Sequence, residues 1–252
     1  MYEFDAIVVK NEIVRWIRAW FEENGKDCKA VIGISGGKDS SVVAALCVEA
    51  LGKERVVGVL MPNGQQPDII YSYKLVRHLG IQSYLIPVHT AIWDMQDEIE
   101  TSLDMELSKQ TITNLPARIR MATLYAVSQT IGGRVANTCN LSETLLSWET
   151  RWGDAVGDFS PLADLTVAEV KAIGYELGLP KELIEKVPTD GLCDSTDEEA
   201  LGFSYAVMDV YIRTGNIDDE NIKKTIDERV EKYRFKRNPI PYFDTGLKRF
   251  VN

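Results

Sequence analysis

The stretch VIGISGGKDSSVV, Val31 to Val43, carries the residue types that most clearly suggest chemistry, with two glycines, a lysine and an aspartate between apolar runs. A glycine-rich turn between a buried strand and a helix presents backbone N–H groups at the helix N-terminus. Those donors and the helix dipole favour phosphate oxygens. Because Gly36 and Gly37 lack a Cβ, a phosphate can approach the backbone closely. The segment therefore predicts a phosphate cradle.

Asp39 lies in that turn and would repel a phosphate unless a cation lay between them, so we interpret it as a Mg²⁺ ligand on a nucleotide pyrophosphate. Lys38 adds positive charge, and the neighbouring serines add hydroxyl donors. The P-loop pattern G-x-x-x-x-G-K-[ST] does not fit, because Gly33 to Gly37 is one residue too short and Asp39 replaces the Ser or Thr. An ordinary glycine turn with an Asp-Ser helix cap is the alternative interpretation.

The elements that must position this turn alternate between strand and helix along the chain. A buried strand is predicted at residues 29–34, and further strands at 55–61, 81–88 and 134–138. Helices are predicted at residues 5–24, 39–51, 67–79, 91–107, 114–129, 166–177, 181–186, 204–214 and 218–236, and an irregular loop at 188–199. This alternation predicts an α/β fold, a Rossmann-like parallel sheet with helices on both faces, in one domain over residues 1–252.

The composition excludes several classes of function. A net charge of −10 over 252 residues argues against bulk binding to nucleic acid or to an anionic membrane. The four cysteines are scattered and form no C-x-x-C pair, which favours reduced thiols over disulfides, zinc or iron–sulfur sites. The start of the chain lacks a leader pattern, and no apolar run reaches membrane-spanning length. We therefore expect a cytoplasmic protein.

The motif S-G-G-x-D-S after a strand resembles the signature of the adenine nucleotide alpha-hydrolase-like, or N-type ATP pyrophosphatase, superfamily. Its members cleave ATP between the α- and β-phosphates and adenylylate an acceptor. Within it, the chain resembles the NAD synthetases in four further segments, in order and with compatible spacing. These are NLPARIRMATLYAVS at 114–128, NTCNLSET at 137–144, RWGDAVGDFSPLADLT at 151–166 and KVPTDGL at 186–192. The resemblance implies that Mg²⁺-ATP activates deamido-NAD and that ammonia then completes NAD.

The resemblance also implies roles for individual residues. The ATP site would comprise Gly33, Ile34, Ser35, Gly36, Gly37, Lys38, Asp39, Ser40, Ser41, Thr138 and Thr189. Asp39 and Glu143 would bind Mg²⁺. The deamido-NAD site would comprise Arg118, Arg151 and Asp158, with looser contacts from Lys236 and Arg237 in the tail. Asp154 would position or deprotonate ammonia, and Asp39, Lys38 and Asp154 would be the catalytic residues.

The chain departs from the family at Val167, where many bacterial members have a lysine that neutralises phosphate. Either that contact is missing or another residue replaces it, and Lys38 is the candidate. The synthetase pattern begins almost at the N-terminus, so we expect no glutamine amidase domain and a supply of free ammonia or of ammonia from a separate protein. The family is homodimeric, and the apolar residues of the first helix and of 115–127 could form either the dimer interface or core.

Two other functions remain open on the sequence. A tRNA-modifying ATP pyrophosphatase also carries S-G-G-K-D-S, although a basic groove and a cysteine pair would be expected of it. A non-catalytic module that binds adenine nucleotides would need only the phosphate cradle. It would leave Glu143 and the G-D motif at 153–154 unexplained.

Overall fold

The computed structural model describes residues 2–186, 198 and 201–248, and a parallel sheet lies at its centre. The strands are β1 (Lys29–Gly33), β2 (Val56–Leu60), β3 (Gln82–Leu85) and β4 (Gly133–Val135), in the spatial order β3-β2-β1-β4. In register, Val31 of β1 is opposite Val57 of β2 on one side and Val135 of β4 on the other. The sheet confirms the predicted α/β fold.

The helices largely follow the predicted pattern. They are α1 (Ala6–Asn24), α2 (Lys38–Leu51), α3 (Ile69–Leu79), α4 (His89–Leu103), α5 (Lys109–Ile131), α6 (Leu141–Leu145), α7 (Val167–Glu176), α8 (Lys181–Ile184), α9 (Tyr205–Thr214), α10 (Glu220–Lys232) and α11 (Arg234–Arg237). The short helix α6 was not predicted. Helix α5 begins before residue 114 because the hydroxyl of Ser108 accepts a hydrogen bond from the N–H of Thr111 and caps it. Apart from residue 198, the predicted loop at 188–199, with Thr189, lies outside the described residues.

The two faces of the sheet pack against different helices, because successive side chains of a strand point to opposite faces. Ala30 and Ile32 of β1 belong to the main core, together with buried residues of α1, α2 and α7. Val31 lies on the other face, in a smaller cluster with Met121 and Leu124 of α5. Helices therefore cover both faces of the sheet. Their packing holds the strands, and with them the strand ends from which the loops extend, in fixed positions.

The strand order creates a crevice beside β1. The chain passes from β1 to β2 and β3 on one side, and β4 then pairs with the opposite side of β1. In open α/β sheets, ligands bind at such a switch point, outside the carboxyl ends of the strands. The segments that follow β1 and β4 flank it. None of the helices in the described part of the chain combines the length and apolar character that a lipid bilayer would require.

Candidate active site

The turn between β1 and α2 has the geometry of an anion cradle. Gly36 has φ 77°, in the left-handed region that favours glycine. Gly37 is the N-cap of α2 and, as a glycine, supplies no side-chain capping hydrogen bond to the first N–H groups of the helix. The hydroxyl of Ser41 instead donates to the carbonyl of Gly37 at 2.7 Å, and Ser35 Oγ accepts from the N–H of Gly37 at 3.2 Å. These serine contacts stabilise the turn, and we expect its other backbone N–H groups at the start of α2 to be the donors for phosphate.

We expect Gly36→Ala to weaken nucleotide binding at least about tenfold and to lower the free energy of unfolding by about 1–3 kcal/mol. A Cβ at this position would lie 2.7 Å from the backbone nitrogen of Ser72, in addition to the strain of positive φ. Gly64→Ala is the matched control, because Gly64 has φ 73° but a Cβ there would meet nothing within 4 Å. Calorimetric titration with α,β-methylene-ATP and urea unfolding measure both effects. Equal behaviour of the two variants would show that the close approach at Gly36 is unimportant.

Two carboxylates from distant parts of the chain meet beside this cradle. Asp39 lies in the first turn of α2 and Glu143 in α6, and Lys38 Nζ contacts Asp39 Oδ2 at 2.8 Å and Glu143 Oε1 at 3.3 Å. Asn140 links the same two residues, since its Nδ2 donates to Asp39 Oδ1 at 2.9 Å and its Oδ1 accepts from the N–H of Glu143 at 3.0 Å. The structure thus brings together the two residues expected to bind Mg²⁺.

The electrostatics of this group depend on the buried ammonium. Burial alone would lower the pKa of Lys38, but attraction to Asp39 and Glu143 raises it above its ordinary value. Burial and the neighbouring Asp39 carboxylate raise the pKa of Glu143, against the opposing effect of Lys38. Two carboxylates this close are stable as anions only with a cation between them.

The donor set suits a hard divalent cation that arrives with a nucleotide. Magnesium prefers oxygen ligands and is commonly bound through one or two carboxylates and substrate phosphates. Among the described residues no group of three or more His, Cys, Asp or Glu side chains could hold a metal ion. Asp39 and Glu143 would therefore need phosphate oxygens to complete the coordination shell, and the cradle lies next to them.

The two arginines expected to bind the dinucleotide are neighbours. Arg118 of α5 is exposed, and its Nε donates to the carbonyl of Arg151 at 3.4 Å. The guanidinium of Arg151 lies over the rings of Trp152 and Phe235, at 4.9 and 5.6 Å from their centroids. Trp152 has φ 63°, an unusual conformation for a bulky side chain, so the loop that presents Arg151 is held in a strained form.

The two aspartates of the same loop connect it to the segment after β4. Asp158 accepts hydrogen bonds from the N–H of Val135 at 2.7 Å and from the hydroxyl of Tyr125 at 3.3 Å. Asp154 Oδ1 accepts from the N–H of Thr150 at 2.9 Å, and the carbonyl of Asp154 accepts from Asn137 Nδ2 at 2.8 Å. Both aspartates therefore also hold the loop in place, whatever substrate contacts they make.

The other residues singled out in the sequence lie in different environments, from backbone hydrogen bonds to apolar packing. Lys236 Nζ donates to the carbonyls of Ser147 and Glu149 at 3.0 and 3.2 Å, and Arg237 donates to the carbonyl of Leu145 at 3.1 Å. The tail thus reaches the end of α6 and the loop after it, where both cations donate to backbone carbonyls. Thr138 is half-buried just after β4. Val167 packs in an apolar cluster with Leu146, Leu201 and Phe203.

Two buried polar residues, one in the site and one in the loop after α6, were missed by the sequence predictions. Asn140 is fully buried and caps α6, and its spacing of three residues from Glu143 is a helix-start pattern that could have identified it. Glu149 is only 7% exposed, and its Oε2 has no hydrogen-bond partner among the described residues. No feature of the sequence indicates that this glutamate is buried.

Glu149 should make stability depend on pH. Burial raises the pKa of Glu149 from its ordinary value of 4.5 to about 7. Between these values the folded protein binds more protons than the unfolded chain, so stability falls as pH rises through this window. We compare the unfolding free energy of Glu149→Gln with that of the parent, as variant minus parent. This difference should become more positive by about 1–3 kcal/mol from pH 5 to pH 8, because only the parent loses stability through this group.

Urea unfolding at both pH values measures this difference. Glu98→Gln is the matched control, because Glu98 is an exposed glutamate of α4, and its effect should be the same at both pH values. A pH-independent effect of Glu149→Gln would contradict the burial of a carboxyl group at this position.

The parallel sheet and the glycine turn at its carboxyl edge are the features of one class of protein. Nucleotide-binding α/β proteins hold phosphates against glycine turns at the carboxyl ends of parallel strands, and this chain is a protein of that class. A family model described as NAD synthase matches residues 9–240, so the chain belongs to the NAD synthase family. It is therefore an amide-forming ligase.

Individual relatives agree with this placement. The NH(3)-dependent NAD(+) synthetase of Pyrococcus furiosus is 34% identical over 231 residues, which are 88% of each chain. The NMN synthetase of Francisella tularensis has a TM-score of 0.88 and 26% identity, covering 96% of this chain and 100% of that one. The NH3-dependent NAD synthetase of Campylobacter jejuni has a TM-score of 0.76 and 25% identity, with the same coverage.

Proposed function

We propose that this enzyme forms NAD from deamido-NAD, ATP and ammonia. The observation that carries the proposal is the meeting of Asp39 and Glu143 beside the glycine cradle, in a chain that matches the NAD synthase family over residues 9–240. That arrangement suits the cleavage of ATP to AMP and pyrophosphate.

The first step activates the substrate carboxylate, because oxide is too poor a leaving group for direct attack by ammonia. A carboxylate oxygen attacks the α-phosphorus of ATP, the bond to the β-phosphate breaks, and an acyl-adenylate and pyrophosphate form. Backbone N–H groups of the turn at 35–41 hold the departing pyrophosphate. Arg118 and Arg151 bind the pyrophosphate of the dinucleotide through planar guanidiniums. Mg²⁺ held by Asp39 and Glu143 would supply charge neutralisation on the ATP phosphates.

The second step forms the amide. Ammonia attacks the acyl carbon, the carbon–oxygen bond to AMP breaks, and nitrogen loses a proton. Asp154 orients ammonia or accepts a proton from it, and the anchoring of its loop by Asn137 and Thr150 fixes its position. Closure of the segment at 143–158 would exclude water, which would otherwise hydrolyse the anhydride.

The nitrogen source and assembly follow from the same resemblance. We propose one synthetase domain that takes ammonia from solution or from a separate protein.

We also propose a homodimer, supported by the apolar exposure of Trp93 (58%) and Leu103 (60%) on α4 and of Met105 (63%) just after it. Helix α1 keeps both interpretations, because Ile17 and Phe21 lie in the core whereas Ile7, Val8 and Trp16 are exposed. Light scattering should give twice the chain mass of 28.3 kDa, and a monomer would contradict the homodimer.

A smaller substrate is a second candidate. The TM-score of 0.88 with the NMN synthetase exceeds the 0.76 with the NAD synthetase of Campylobacter jejuni, over the same share of each chain. The acid that corresponds to NMN lacks the adenylate half of deamido-NAD, and the reacting nicotinate carboxylate is the same. The chemistry proposed here applies to both acids, so only a direct comparison of substrates separates them.

Substrate-dependent ATP–pyrophosphate exchange tests the function. With Mg²⁺ present, deamido-NAD should support exchange and, with ammonia, the release of AMP and formation of NAD. Faster turnover of deamido-NMN would select the smaller substrate. Exchange supported by tRNA alone would favour the tRNA-modifying alternative, and nucleotide binding without exchange for any acceptor would favour the non-catalytic one. Either of those two results would overturn the proposal.

A further inference from the structure

A buried lysine occupies the space between the two proposed metal ligands. The side chain of Lys38 is 3% exposed, and its Nζ lies 2.8 Å from Asp39 Oδ2 and 3.3 Å from Glu143 Oε1. Both oxygens belong to carboxylates proposed to share a divalent ion. The ammonium therefore lies between the two groups that a bound cation would have to contact.

Neither the helix dipole nor solvation favours a lysine at this position. Lys38 is the first residue of α2, and the dipole of a helix disfavours positive charge at its N-terminus. Burial of an ammonium is also costly unless the charge is paired. In the described part of the chain, the ion pairs formed by Asp39 and Glu143 are both with Lys38, and the other polar side chain that contacts both residues is the neutral Asn140. The pairing with both carboxylates is what stabilises the ammonium there.

We propose that Lys38 is a tethered cation that occupies the metal position between Asp39 and Glu143 until a metal-bound nucleotide displaces it. The proposal rests on the function proposed above, which assigns those two carboxylates to the metal. Lys38 is a positioning residue in this role, because its ammonium contacts both carboxylates and so holds the acids together. Its flexible four-carbon side chain allows the ammonium to move aside without a change in the backbone.

The proposal makes metal binding depend on the nucleotide. A free divalent ion must displace a paired ammonium and gains only two carboxylates, so its affinity is low. A metal–nucleotide complex brings phosphate oxygens as additional ligands, and its negative charge lies close to the displaced ammonium. Metal and nucleotide should therefore bind together, and removal of the lysine charge should uncouple them.

Binding of Mn²⁺, followed by electron paramagnetic resonance, tests this dependence without catalysis. In the absence of nucleotide, we expect Lys38→Gln to bind Mn²⁺ at least about tenfold more tightly than the parent, and Lys38→Arg to remain weak. The gain should disappear in the double variant Lys38→Gln/Glu143→Gln. In the parent, Mn²⁺ should bind to the complex of enzyme and α,β-methylene-ATP at least about tenfold more tightly than to α,β-methylene-ATP free in solution.

Thermal melting gives a second readout that a merely structural lysine would not change. In the presence of EDTA, Lys38→Gln should melt below the parent, because two uncompensated carboxylates then face each other. Mn²⁺ should restore most of the loss in Lys38→Gln and should hardly affect the parent. A melting temperature of Lys38→Gln that does not respond to Mn²⁺ would overturn the proposal.

The outcomes separate this inference from the proposed function. If the parent binds Mn²⁺ with α,β-methylene-ATP through Glu143, but Lys38→Gln gains no affinity for Mn²⁺ alone, only the tethered-cation proposal fails. If Glu143→Gln leaves Mn²⁺–nucleotide binding unchanged, the assignment of the metal ligands fails, and the proposal fails with it. Tight binding of Mn²⁺ alone to the parent would also overturn the proposal, and this result does not depend on how well any variant folds.

Discussion

Asp39→Asn should reduce ATP–pyrophosphate exchange by about 10³-fold or more, equivalent to roughly 4 kcal/mol of transition-state stabilisation. Asparagine keeps the shape of the side chain and removes the negative charge that would hold the cation on the ATP phosphates. The exchange reaction requires no ammonia, so it isolates the adenylylation step. The measurement is the rate of label incorporation into ATP at saturating deamido-NAD and Mg²⁺.

Asp94→Asn is the matched control for this loss, because Asp94 is an exposed aspartate on α4 and should be neutral. Glu143→Gln should resemble Asp39→Asn, since the two carboxylates would act on one ion. The double variant should then be little worse than either single variant. Retention of more than about a tenth of parental exchange by Asp39→Asn would contradict its role as a metal ligand.

Asp154→Asn should have the opposite profile, with exchange within about threefold of the parent and amide formation slowed by about 10²-fold or more. The variant keeps an oxygen that can accept the hydrogen bond from the N–H of Thr150, so the loop should hold its shape. What it loses is the charge that would orient ammonia or accept its proton. Single-turnover formation of NAD from accumulated acyl-adenylate, at increasing ammonium concentration, measures the second step alone.

Asp158→Asn is an informative comparison within the same loop. Asp158 accepts a hydrogen bond from the backbone of β4 and is assigned to the dinucleotide, so its loss should raise the KM for deamido-NAD in exchange. Asp154→Asn should not. Equal losses in both steps for Asp154→Asn would contradict a role confined to ammonia.

The cradle could be predicted from the sequence because its causes are local. Two glycines between a buried strand and a helix leave few alternatives, and the structure has Gly36 at positive φ and Gly37 at the start of α2. The acid pair is different, because Asp39 and Glu143 are far apart in sequence. Residue properties alone did not connect them, and the connection came from resemblance to a family. The physical cause is the strand order, which places β4 beside β1.

What could not be predicted depends on tertiary contacts. Glu149 has the sequence context of a surface residue, and only packing of the loop after α6 buries it. The pairing of Lys38 with Glu143 spans the same long separation as the acid pair. Lys236 and Arg237 were assigned to substrate by resemblance, whereas their side chains donate to backbone carbonyls at the end of α6 and in the loop after it. Helix α6 was missed because its five residues are too few for a periodic pattern.

If the proposed mechanism holds, Asp39 and Glu143 share one divalent cation with the phosphates of ATP. Crystals grown with Mn²⁺ and α,β-methylene-ATP, measured at the manganese absorption edge, locate the cation directly. We expect one anomalous peak at about 2.0–2.3 Å from an oxygen of each carboxylate and from a phosphate oxygen in the 35–41 turn. A manganese ion bound by phosphate alone, with Lys38 still between the two acids, would contradict shared binding of the cation by Asp39 and Glu143.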